Sequence, residues 1–393
     1  MRLSKLFTAT LLGSASAYGW AIEPQSIDLR GFQFTPTLLV YQAYDDNYRG
    51  LRDNTLSSQI TGIEPSFLLS AETGTSAYQL EYSFNTDYYW DDSDATNTDH
   101  HLRLRSVLEP TSRHRFRWNL EYHRIEDLID TAVEDENDKY SRAIAGAGYT
   151  FGARTARNQL EFGTSYEQRR YHNSGTLNAD QERDSLAFTG TWFHRVGPRT
   201  RALAELRHTD HSYKQDIAQR DSTNVAALVG ATWDATARTT GTVRVGGERK
   251  RFDSSERSDY SSPMWEAGLS WAPRTYSVFS LNARRAFDEG DGRIVEAVGG
   301  NRTATVQDRT TVLSWEHEWT SRISTELEYQ LSNRDYKATA REDDLTAYGL
   351  GVSYSLYRWA DVTLGYRRSH NDSTLRDESY KRNVYLLSVN LSL

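Results

Sequence analysis

The segment from Tyr385 to Leu393 alternates between apolar and polar side chains. Every second residue from Tyr385 onward is apolar, and the residues between them, after Leu386, are serine, asparagine and serine. A period of two residues is that of a β-strand with one apolar and one polar face. We expect this segment to be the closing strand of an outer-membrane barrel, because the last strand of such a barrel pairs with the first and leaves no open edge in lipid.

From about residue 34 the chain repeats one unit roughly every 40 residues: a strand, a short turn, a strand and a longer polar loop. Eight short turns and nine longer loops predict about eighteen strands, within a range of about 16 to 18. An even number places both termini on the periplasmic side. The weakest predicted strands are 57–71, which Pro65 interrupts, and one that begins near Asp308. The sequence therefore predicts an all-β, transmembrane antiparallel β-barrel over residues 34–393, in which the strand at 34–43 pairs with the closing strand.

The composition favours a barrel around water over a soluble multidomain protein. Hydrophobic residues make up 37% of the chain, yet aromatic residues reach 12%, with 24 Tyr and 10 Trp. Alternating strands need few aliphatic residues and many rings at the two membrane interfaces, and a disordered chain would lack those rings. The net charge of -8 argues against nucleic-acid binding. The chain has no cysteine, which argues against disulfides and cysteine metal sites, and we expect no cofactor.

Residues 1–21 have the pattern of a secretory signal peptide. Arg2 and Lys5 precede a short apolar core, and cleavage is expected after Ala17 or Ala21. No later segment approaches the roughly 18 apolar residues of a membrane helix. We therefore expect a periplasmic segment over 22–33 and residence in the outer membrane of a Gram-negative bacterium. The expected partners there are outer-membrane lipid, lipopolysaccharide and the barrel-assembly machinery.

The polar faces of the predicted strands define the residues that line the lumen. About eighteen strands, spaced roughly 4.8 Å apart and tilted near 40°, enclose a backbone diameter of about 35 Å. Both signs of charge occur on the polar faces, so a strongly ion-selective pore is not indicated. The predicted lumen-lining residues are Glu81, Arg103, Arg105, Arg117, Glu121, Glu161, Glu205, Arg207, Arg244, Glu266, Arg284, Glu316, Glu326, Glu328 and Arg367.

Basic residues mark the short turns, whereas acidic residues are common in the longer loops. We hypothesise that a basic periplasmic rim attracts an anionic polymer or an acidic partner. The alternative is that these residues serve only solubility and strand ending. The predicted rim residues are Arg113, Arg154, Arg199, Arg238, Arg274, Arg322 and Arg358.

The segment 289–300 differs from the other longer loops, because it has glycine near both ends and apolar residues within. One interpretation is a constriction loop that folds into the lumen. The other is an external loop in water, like the acidic stretches at 91–94 and 134–138. The candidate constriction residues are Glu289, Arg293, Ile294, Val295 and Glu296.

No catalytic motif is present, so we expect a protein that is not an enzyme. The sequence contains no G-x-S-x-G, H-E-x-x-H, P-loop or G-x-G-x-x-G. His100 and His101 follow an acidic loop, so their composition would suit a metal site. Adjacent strand residues point to opposite faces, however, and two solvated loop histidines are the favoured interpretation. A barrel hydrolase would need Ser, His and an acid to meet on the wall. Glu326 and Glu328 are interpreted as pore lining, not as acid–base catalysts.

Two stretches carry a family resemblance. The first is the strand at 34–41, which leads into Tyr44-Asp45-Asp46-Asn47, and the second is 366–373 followed by Tyr380-Lys381-Arg382-Asn383 and the terminal strand. Together they cover about an eighth of the chain, and they resemble the opening strand and closing hairpin of the beta-barrel porin family associated with capsular and exopolysaccharide gene clusters. The resemblance implies export of a capsular polysaccharide or exopolysaccharide through the outer membrane, together with a periplasmic polysaccharide-export protein. Composition and spacing alone leave two alternatives open: a general or substrate-specific diffusion porin, and a barrel enzyme or surface adhesin.

Overall fold

The computed structural model describes residues 26–128, 137–175, 178–216, 218–236, 238–289, 305–337 and 339–392. Nineteen strands and three single-turn 3-10 helices lie within these ranges. The strands are β1 (Ile27–Leu29), β2 (Phe32–Asp45), β3 (Ser58–Thr73), β4 (Ser76–Tyr89), β5 (Asn97–Thr111), β6 (His114–Asp127), β7 (Asp138–Phe151), β8 (Asn158–Tyr171), β9 (Arg183–Gly197), β10 (Thr200–Tyr213), β11 (Ser222–Thr236), β12 (Thr239–Phe252), β13 (Tyr260–Arg274), β14 (Ser277–Glu289), β15 (Thr305–Glu318), β16 (Ile323–Tyr336), β17 (Glu342–Tyr357), β18 (Ala360–Ser373) and β19 (Tyr380–Ser392). The 3-10 helices are Ser93–Ala95, Ala179–Gln181 and Arg376–Glu378. In the part of the chain that the structure describes, no helix is long and apolar enough to cross a membrane.

Strands β2 to β19 form a closed antiparallel barrel of eighteen strands. Each strand pairs with its neighbours in sequence, and β19 closes the ring by pairing with β2, with Tyr385 opposite Tyr44 and Leu391 opposite Leu38. The predicted fold class and strand number are therefore confirmed. The predicted opening strand at 34–43 is part of β2, which extends two residues further at each end.

The short strand β1 forms a hairpin with the first residues of β2, where Ile27 lies opposite Phe34. The two residues of its turn, Arg30 and Gly31, both have positive φ, 56° and 97°. Positive φ at both central residues is the conformation of a type I′ hairpin turn, and glycine adopts it without a steric penalty.

Short connections and long connections lie at opposite ends of the barrel. The eight short connections include Gly74-Thr75, Ser112-Arg113 and Arg358-Trp359, and β2 begins and β19 ends at that same end. Strands of 14 residues with a rise of about 3.3 Å per residue and a tilt near 40° span about 35 Å along the barrel axis. This length exceeds the apolar band of roughly 25 Å on outer-membrane barrels.

Pro65 does not end a strand, although the sequence suggested an interruption there. β3 runs from Ser58 to Thr73, and its ladder with β4 passes from Ile63 to Ser66 without pairs at the two intervening residues. The register is the same on both sides of this gap. Proline lacks the N–H that a ladder needs, so the effect stays local. Similarly, the strand that was expected from about Asp308 begins at Thr305.

The outer face of the barrel is apolar and carries two belts of aromatic rings. Leu120, Phe162 and Leu206 are 50%, 53% and 65% exposed on this face. At the short-turn end, Trp271, Phe279 and Trp315 stack with centroid distances of 5.3 and 6.0 Å. At the long-loop end, Tyr44, Tyr385, Tyr366 and Tyr348 follow one another at 6.5, 5.1 and 6.2 Å. Such belts mark the two interfaces of a bilayer with water.

Candidate functional site

The inner face of the strands defines the lumen. Cross-strand partners lie on the same face of a sheet, so the register carries an assignment from one strand to the next. Leu206 is on the outer face, which places its neighbours Glu205 and Arg207 on the inner face. The register places all fifteen predicted lumen-lining residues on this inner face.

Most of the predicted lumen residues are brought together as ion pairs. These pairs are Arg103 with Glu81 at 3.0 Å, Arg105 with Glu121 at 3.6 Å, Arg117 with Glu161, and Arg367 with Glu328 at 2.7 Å. Arg284 instead contacts Asp288 at 2.7 Å, four residues further along β14. Glu316 and Glu326 lie opposite each other in the β15–β16 register.

Several inward side chains reach across a whole strand, and glycine on the intervening strand makes this possible. Gly349 on β17 lies opposite both Glu328 on β16 and Arg367 on β18. With no side chain on Gly349, the guanidinium of Arg367 passes over it to the carboxylate of Glu328. Alternation predicts the face of each residue, but it gives no information on this reach.

The same arrangement recurs in the half of the barrel nearer the long loops, where it involves Tyr41, Gly62 and Asp87. Gly62 on β3 lies opposite both Tyr41 on β2 and Asp87 on β4. The Tyr41 hydroxyl donates a hydrogen bond to Asp87. A Cβ atom at residue 62 would lie 2.0 Å from Cζ of Tyr41, so the ring occupies the space that a side chain there would need.

Four lumen charges form one compact cluster on β10, β12 and β13. Arg207 donates two parallel hydrogen bonds to Glu266, at 2.7 and 2.8 Å, and a third to Glu205 at 2.6 Å. Arg244 lies 3.2 Å from Glu205 and 3.6 Å from Glu266. Thr191 on β9 also donates to Glu205. Two cations and two anions compensate one another, and bidentate arginine–carboxylate geometry holds the cluster in place.

The hairpin of β14 and β15 leaves the wall and bends toward the lumen at the long-loop end. The β13–β14 ladder ends at Trp265 and Arg285, although β14 continues to Glu289. Glu289 is buried and contacts Lys250 on β12, which is fully buried. It also accepts a hydrogen bond from the Tyr213 hydroxyl at 2.7 Å on β10. Contacts with strands two and four places away around the ring require an inward position.

Side-chain hydrogen bonds take the place of the missing ladder between β13 and β14. Arg285 donates to the carbonyl oxygen of Pro263 at 3.0 Å and to Gln307 at 2.9 Å, and Gln307 donates to the Ser262 hydroxyl. Of the candidate constriction residues, Glu289 lies in the lumen. Arg293, Ile294, Val295 and Glu296 lie outside the described residues.

The connection between β2 and β3 also packs inside the barrel. Tyr48 is 3% exposed, and its ring lies 5.1 Å from that of Tyr89. Its hydroxyl donates to Asp92 at 2.7 Å, and Arg49 lies 3.1 Å from the same carboxylate. Burial raises the pKa of Tyr48 to about 12, and the hydrogen bond to Asp92 acts in the same direction. The phenol is therefore neutral at physiological pH.

The residues that carry the family resemblance join each other across the seam where the barrel closes. Arg382 on β19 pairs with Asp45 on β2 at 2.6 Å. Asn383 donates both its backbone N–H and its side-chain amide to Asp46, each at 2.6 Å. The side-chain amide of Asn47 donates to the Lys381 carbonyl oxygen at 2.8 Å. We call these six residues, Asp45–Asn47 and Lys381–Asn383, the seam clasp.

All seven predicted rim arginines lie at the short-turn end. Arg274 is the last residue of β13, and the other six lie within the short connections. Arg154 lies 2.8 Å from Glu109, which also binds Arg115 at 2.6 Å. The described part of the structure therefore shows a cationic ring that is partly neutralised by acids at the strand ends.

The two adjacent histidines lie in β5, and the prediction that they belong to a loop is wrong. His100 faces outward, with its ring 5.9 Å from that of Phe84, and His101 faces inward, 2.8 Å from His123. The strand begins at Asn97, three residues before the pair, and therefore includes both. Among the described residues no group of three or more histidine, cysteine or acidic side chains is arranged to hold a metal ion.

Ser185, His211 and Glu289 meet on the lumen wall. The Ser185 hydroxyl lies 2.8 Å from Nδ1 of His211, and Nε2 of His211 lies 3.5 Å from Glu289. A hydrolase also needs donors for an oxyanion. Ser185 lies within the β8–β9 and β9–β10 ladders, which occupy the backbone amides around it. Glu289 is also paired with Lys250. We therefore interpret these three residues as part of the contacts that hold the β14–β15 hairpin in the lumen.

One family model, described as "Putative beta-barrel porin 2", matches residues 21–393. Comparison with curated protein sequences finds no match. Among solved structures, the chain is similar to the FrpB iron transporter from Neisseria meningitidis (F5-1 variant), with 11% identity, a TM-score of 0.50 and coverage of 88% of this chain. It spans 64% of the length of that transporter, which is less than two thirds.

Two further solved structures are of similar length to this chain. A BenF-like porin from Pseudomonas fluorescens Pf-5 has 11% identity and a TM-score of 0.50, with coverage of 93% of this chain and 100% of that one. The outer membrane protein OpdK from Pseudomonas aeruginosa has 14% identity and a TM-score of 0.47, with coverage of 92% and 99%. At such low identity these similarities show the fold alone.

Proposed function

The chain belongs to the family described as "Putative beta-barrel porin 2", and on that premise we propose that its lumen is a passive diffusion channel for small hydrated solutes. The protein is an outer-membrane β-barrel of a Gram-negative bacterium, of the porin or transporter-like type. Its membrane-facing wall is apolar, and its eighteen strands enclose a polar interior. Barrels of this size leave an aqueous channel unless loops plug them.

The observation that carries this proposal is the pairing of opposite charges along the lumen. The fifteen lining residues comprise seven arginines and eight glutamates. In the cluster of Glu205, Arg207, Arg244 and Glu266 the charges compensate within a few ångströms. A wall of this kind offers hydrogen bonds to polar solutes and gives little preference for either sign of ion. It therefore favours general diffusion over strong ion selection.

We expect the inward hairpin of β14 and β15 to set the width of the channel at the long-loop end. Its anchor, Glu289, reaches Lys250 and Tyr213, which lie on strands two and four places away. A side chain that spans this arc reduces the cross-section open to a solute. Among the described residues, the connection between β2 and β3 also packs inside the barrel at this end, through Tyr48.

Conductance in planar bilayers tests the proposal directly. Purified full-length protein should produce stepwise conductance, and a tenfold KCl gradient should give a reversal potential close to zero. A capsular or exopolysaccharide fragment added on either side should leave the steps unchanged. Absence of any steps from folded protein would contradict a diffusion channel. Block by such a fragment at low concentration would favour a polysaccharide pathway instead.

Polysaccharide export, with a periplasmic export protein as partner, remains the second candidate. The residues that suggested it include the seam clasp, and these residues join strands β2 and β19 at the closure of the barrel. A structural role of this kind does not select a polymer. The ring of seven rim arginines is the feature that favours an anionic polymer or acidic partner. A deletion strain separates the candidates: loss of surface polysaccharide supports export, and unchanged secretion removes it.

A further inference from the structure

A groove lies in the outer wall of the barrel, toward the long-loop end of β11, β12 and β13. It has a volume of about 590 Å³. Its floor is formed by Ala227, Gly247 and Pro263, which lie side by side in the register of the three strands. Small or compact residues at three adjacent positions lower the surface there. The groove therefore results from the small or compact side chains at these three neighbouring positions of the sheet.

The groove opens toward the hydrocarbon of the membrane. Val225, which lines it, is 44% exposed. Val245 and Val229, one step nearer the middle of the barrel, are 50% and 59% exposed on the same face. Exposed valines at the level of Val229 and Val245 are typical of a lipid-facing surface, whereas Val225 lies opposite Arg249, where the charged end of the groove begins. A ligand of the groove must therefore have an apolar part.

Two arginines line the end of the groove that is nearer the long loops. Arg249 and Arg251 follow Gly247 on the same face of β12, and their side chains are 61% and 69% exposed. Both approach one carboxylate, Asp259, at 3.0 and 3.9 Å. The hydrogen bond from Arg249 lowers the pKa of Asp259, so this carboxylate is ionised. Two cations against one anion leave a net charge of +1 among these three side chains, and Glu248, the other acid of the lining, lies on the inner face of β12.

We propose that this groove binds a phosphorylated glycolipid of the outer leaflet, with an acyl chain on Ala227, Gly247 and Pro263 and a phosphate on Arg249 and Arg251. Guanidinium groups match phosphate oxygens in charge and geometry. Arginine on a lipid-facing wall is costly unless it reaches the interface or meets an anion. The inference rests on the placement of the barrel in the outer membrane with its long loops outside, and not on what passes through the lumen.

Native mass spectrometry of the full-length protein in detergent tests the phosphate contact. The probes are bisphosphorylated lipid A and the same glycolipid after removal of both phosphates. The double variant Arg249→Gln/Arg251→Gln should bind lipid A about tenfold more weakly, since a charge-assisted hydrogen bond contributes more than a neutral one. Arg124→Gln removes an exposed arginine from the outer face of β6 and should leave binding unchanged.

A substitution that fills the groove tests the binding of the acyl chain separately from the phosphate contact. A Cβ atom at residue 247 would meet only the Ser262 carbonyl oxygen, at 3.7 Å, so a side chain can leave the backbone there without a clash, and we expect Gly247→Leu to fill the groove. This variant should weaken binding of both forms of the glycolipid about equally. Heat-dependent migration in SDS gels and bilayer conductance confirm that each variant is a folded channel. Conductance failure in the wild type would contradict the proposed function but would leave the lipid result intact.

Three outcomes would overturn the proposal. The first is equal lipid A binding by the wild type and the double arginine variant. The second is equal binding of the phosphorylated and dephosphorylated glycolipids by the wild type. The third is displacement of lipid A by millimolar inorganic phosphate, which would show that the site binds free phosphate and does not bind an acyl chain.

Discussion

Arg382 and Asp45 form an ion pair across the seam of the barrel, with 2.6 Å between the guanidinium and the carboxylate, although they lie 337 residues apart in the chain. The side chain of Asp45 is fully buried. The pair joins the beginning of β19 to the end of β2, where the ring of strands closes. Its neighbours Asp46 and Asn383 add two further hydrogen bonds at the same place.

The substitution Asp45→Asn should destabilise the folded barrel. It removes the buried partner of Arg382, and loss of one member of a buried ion pair typically costs about 3 kcal/mol or more. We expect a lower midpoint of urea-induced unfolding in lipid vesicles, measured by tryptophan fluorescence. The control is Asp53→Asn, since Asp53 is 77% exposed and lies 3.7 Å from Arg52. Equal midpoints for the two variants would show that the seam pair has no stabilising role.

Gly62→Ala should displace the ring of Tyr41 and break its hydrogen bond to Asp87. The added Cβ would lie 2.0 Å from Cζ of that ring, and overpacking of this kind costs about 1–3 kcal/mol. The matched control is Gly163→Ala on the same inner face, where the nearest atom to a new Cβ is 4.0 Å away. Unfolding free energies of both variants check the prediction. A loss at Gly163 as large as at Gly62 would contradict it.

Arg207→Gln should make the channel prefer cations. The change removes one of two cations from the central cluster and leaves Glu205 and Glu266 with Arg244 alone. The reversal potential in a KCl gradient should shift toward the potassium equilibrium potential. Glu266→Gln should shift it in the opposite direction. Arg309→Gln alters an exposed residue of the outer face and should have no effect, so a shift in that variant would contradict a lumen origin.

Lys250→Met should loosen the inward hairpin of β14 and β15. Methionine approximates the length of lysine but leaves Glu289 without its cation in a buried position. We expect a larger mean conductance and more frequent transitions between conductance levels in single-channel recordings. Lys214→Met is the control, because Lys214 lies at the same end of the barrel but is 47% exposed and pairs with Asp184 on the outer face. Identical recordings from both variants and the wild type would exclude an anchoring role.

The packing of Tyr48 should make barrel stability fall between pH 10 and about 12. Burial raises the pKa of Tyr48 from 10.0 to about 12. In this window the unfolded chain releases the phenolic proton while the folded state retains it, so the free energy of unfolding decreases as pH rises. Below pH 10 the contribution of this group is constant. Tyr48→Phe should show a smaller decrease, and the other tyrosines, which both proteins share, cancel in the difference.

The strand pattern was accessible from the sequence because its signals are local. Apolar–polar alternation and a short turn about every 40 residues were sufficient for eighteen strands, for the two faces and for eight short and nine longer connections. Pro65 was misleading because a missing N–H interrupts two pairs of a ladder without ending the strand. Arg207 was placed on the inner face by alternation alone.

The contacts within the lumen were not accessible, because they depend on register and on reach. Alternation places Arg367 on the inner face, but only the alignment with Gly349 shows that its partner lies two strands away. The resemblance singled out both halves of the seam clasp without indicating that they touch. The composition of 289–300 suggested a constriction at this place, but the alternation of β14 does not mark Arg285 as the residue after which it leaves β13.

The order of strands in the sheet separates folding into many short-range steps and one long-range step. Seventeen of the eighteen pairings in the barrel join strands that follow each other in the chain, and only β19 with β2 joins its two extremes. Closing a loop of 337 residues costs roughly 4 kcal/mol more chain entropy than closing a turn of four. We therefore expect the hairpins, which have low contact order, to form first and ring closure to come last. A chain arrested before that event holds two unpaired edges, which makes it the species most exposed to aggregation.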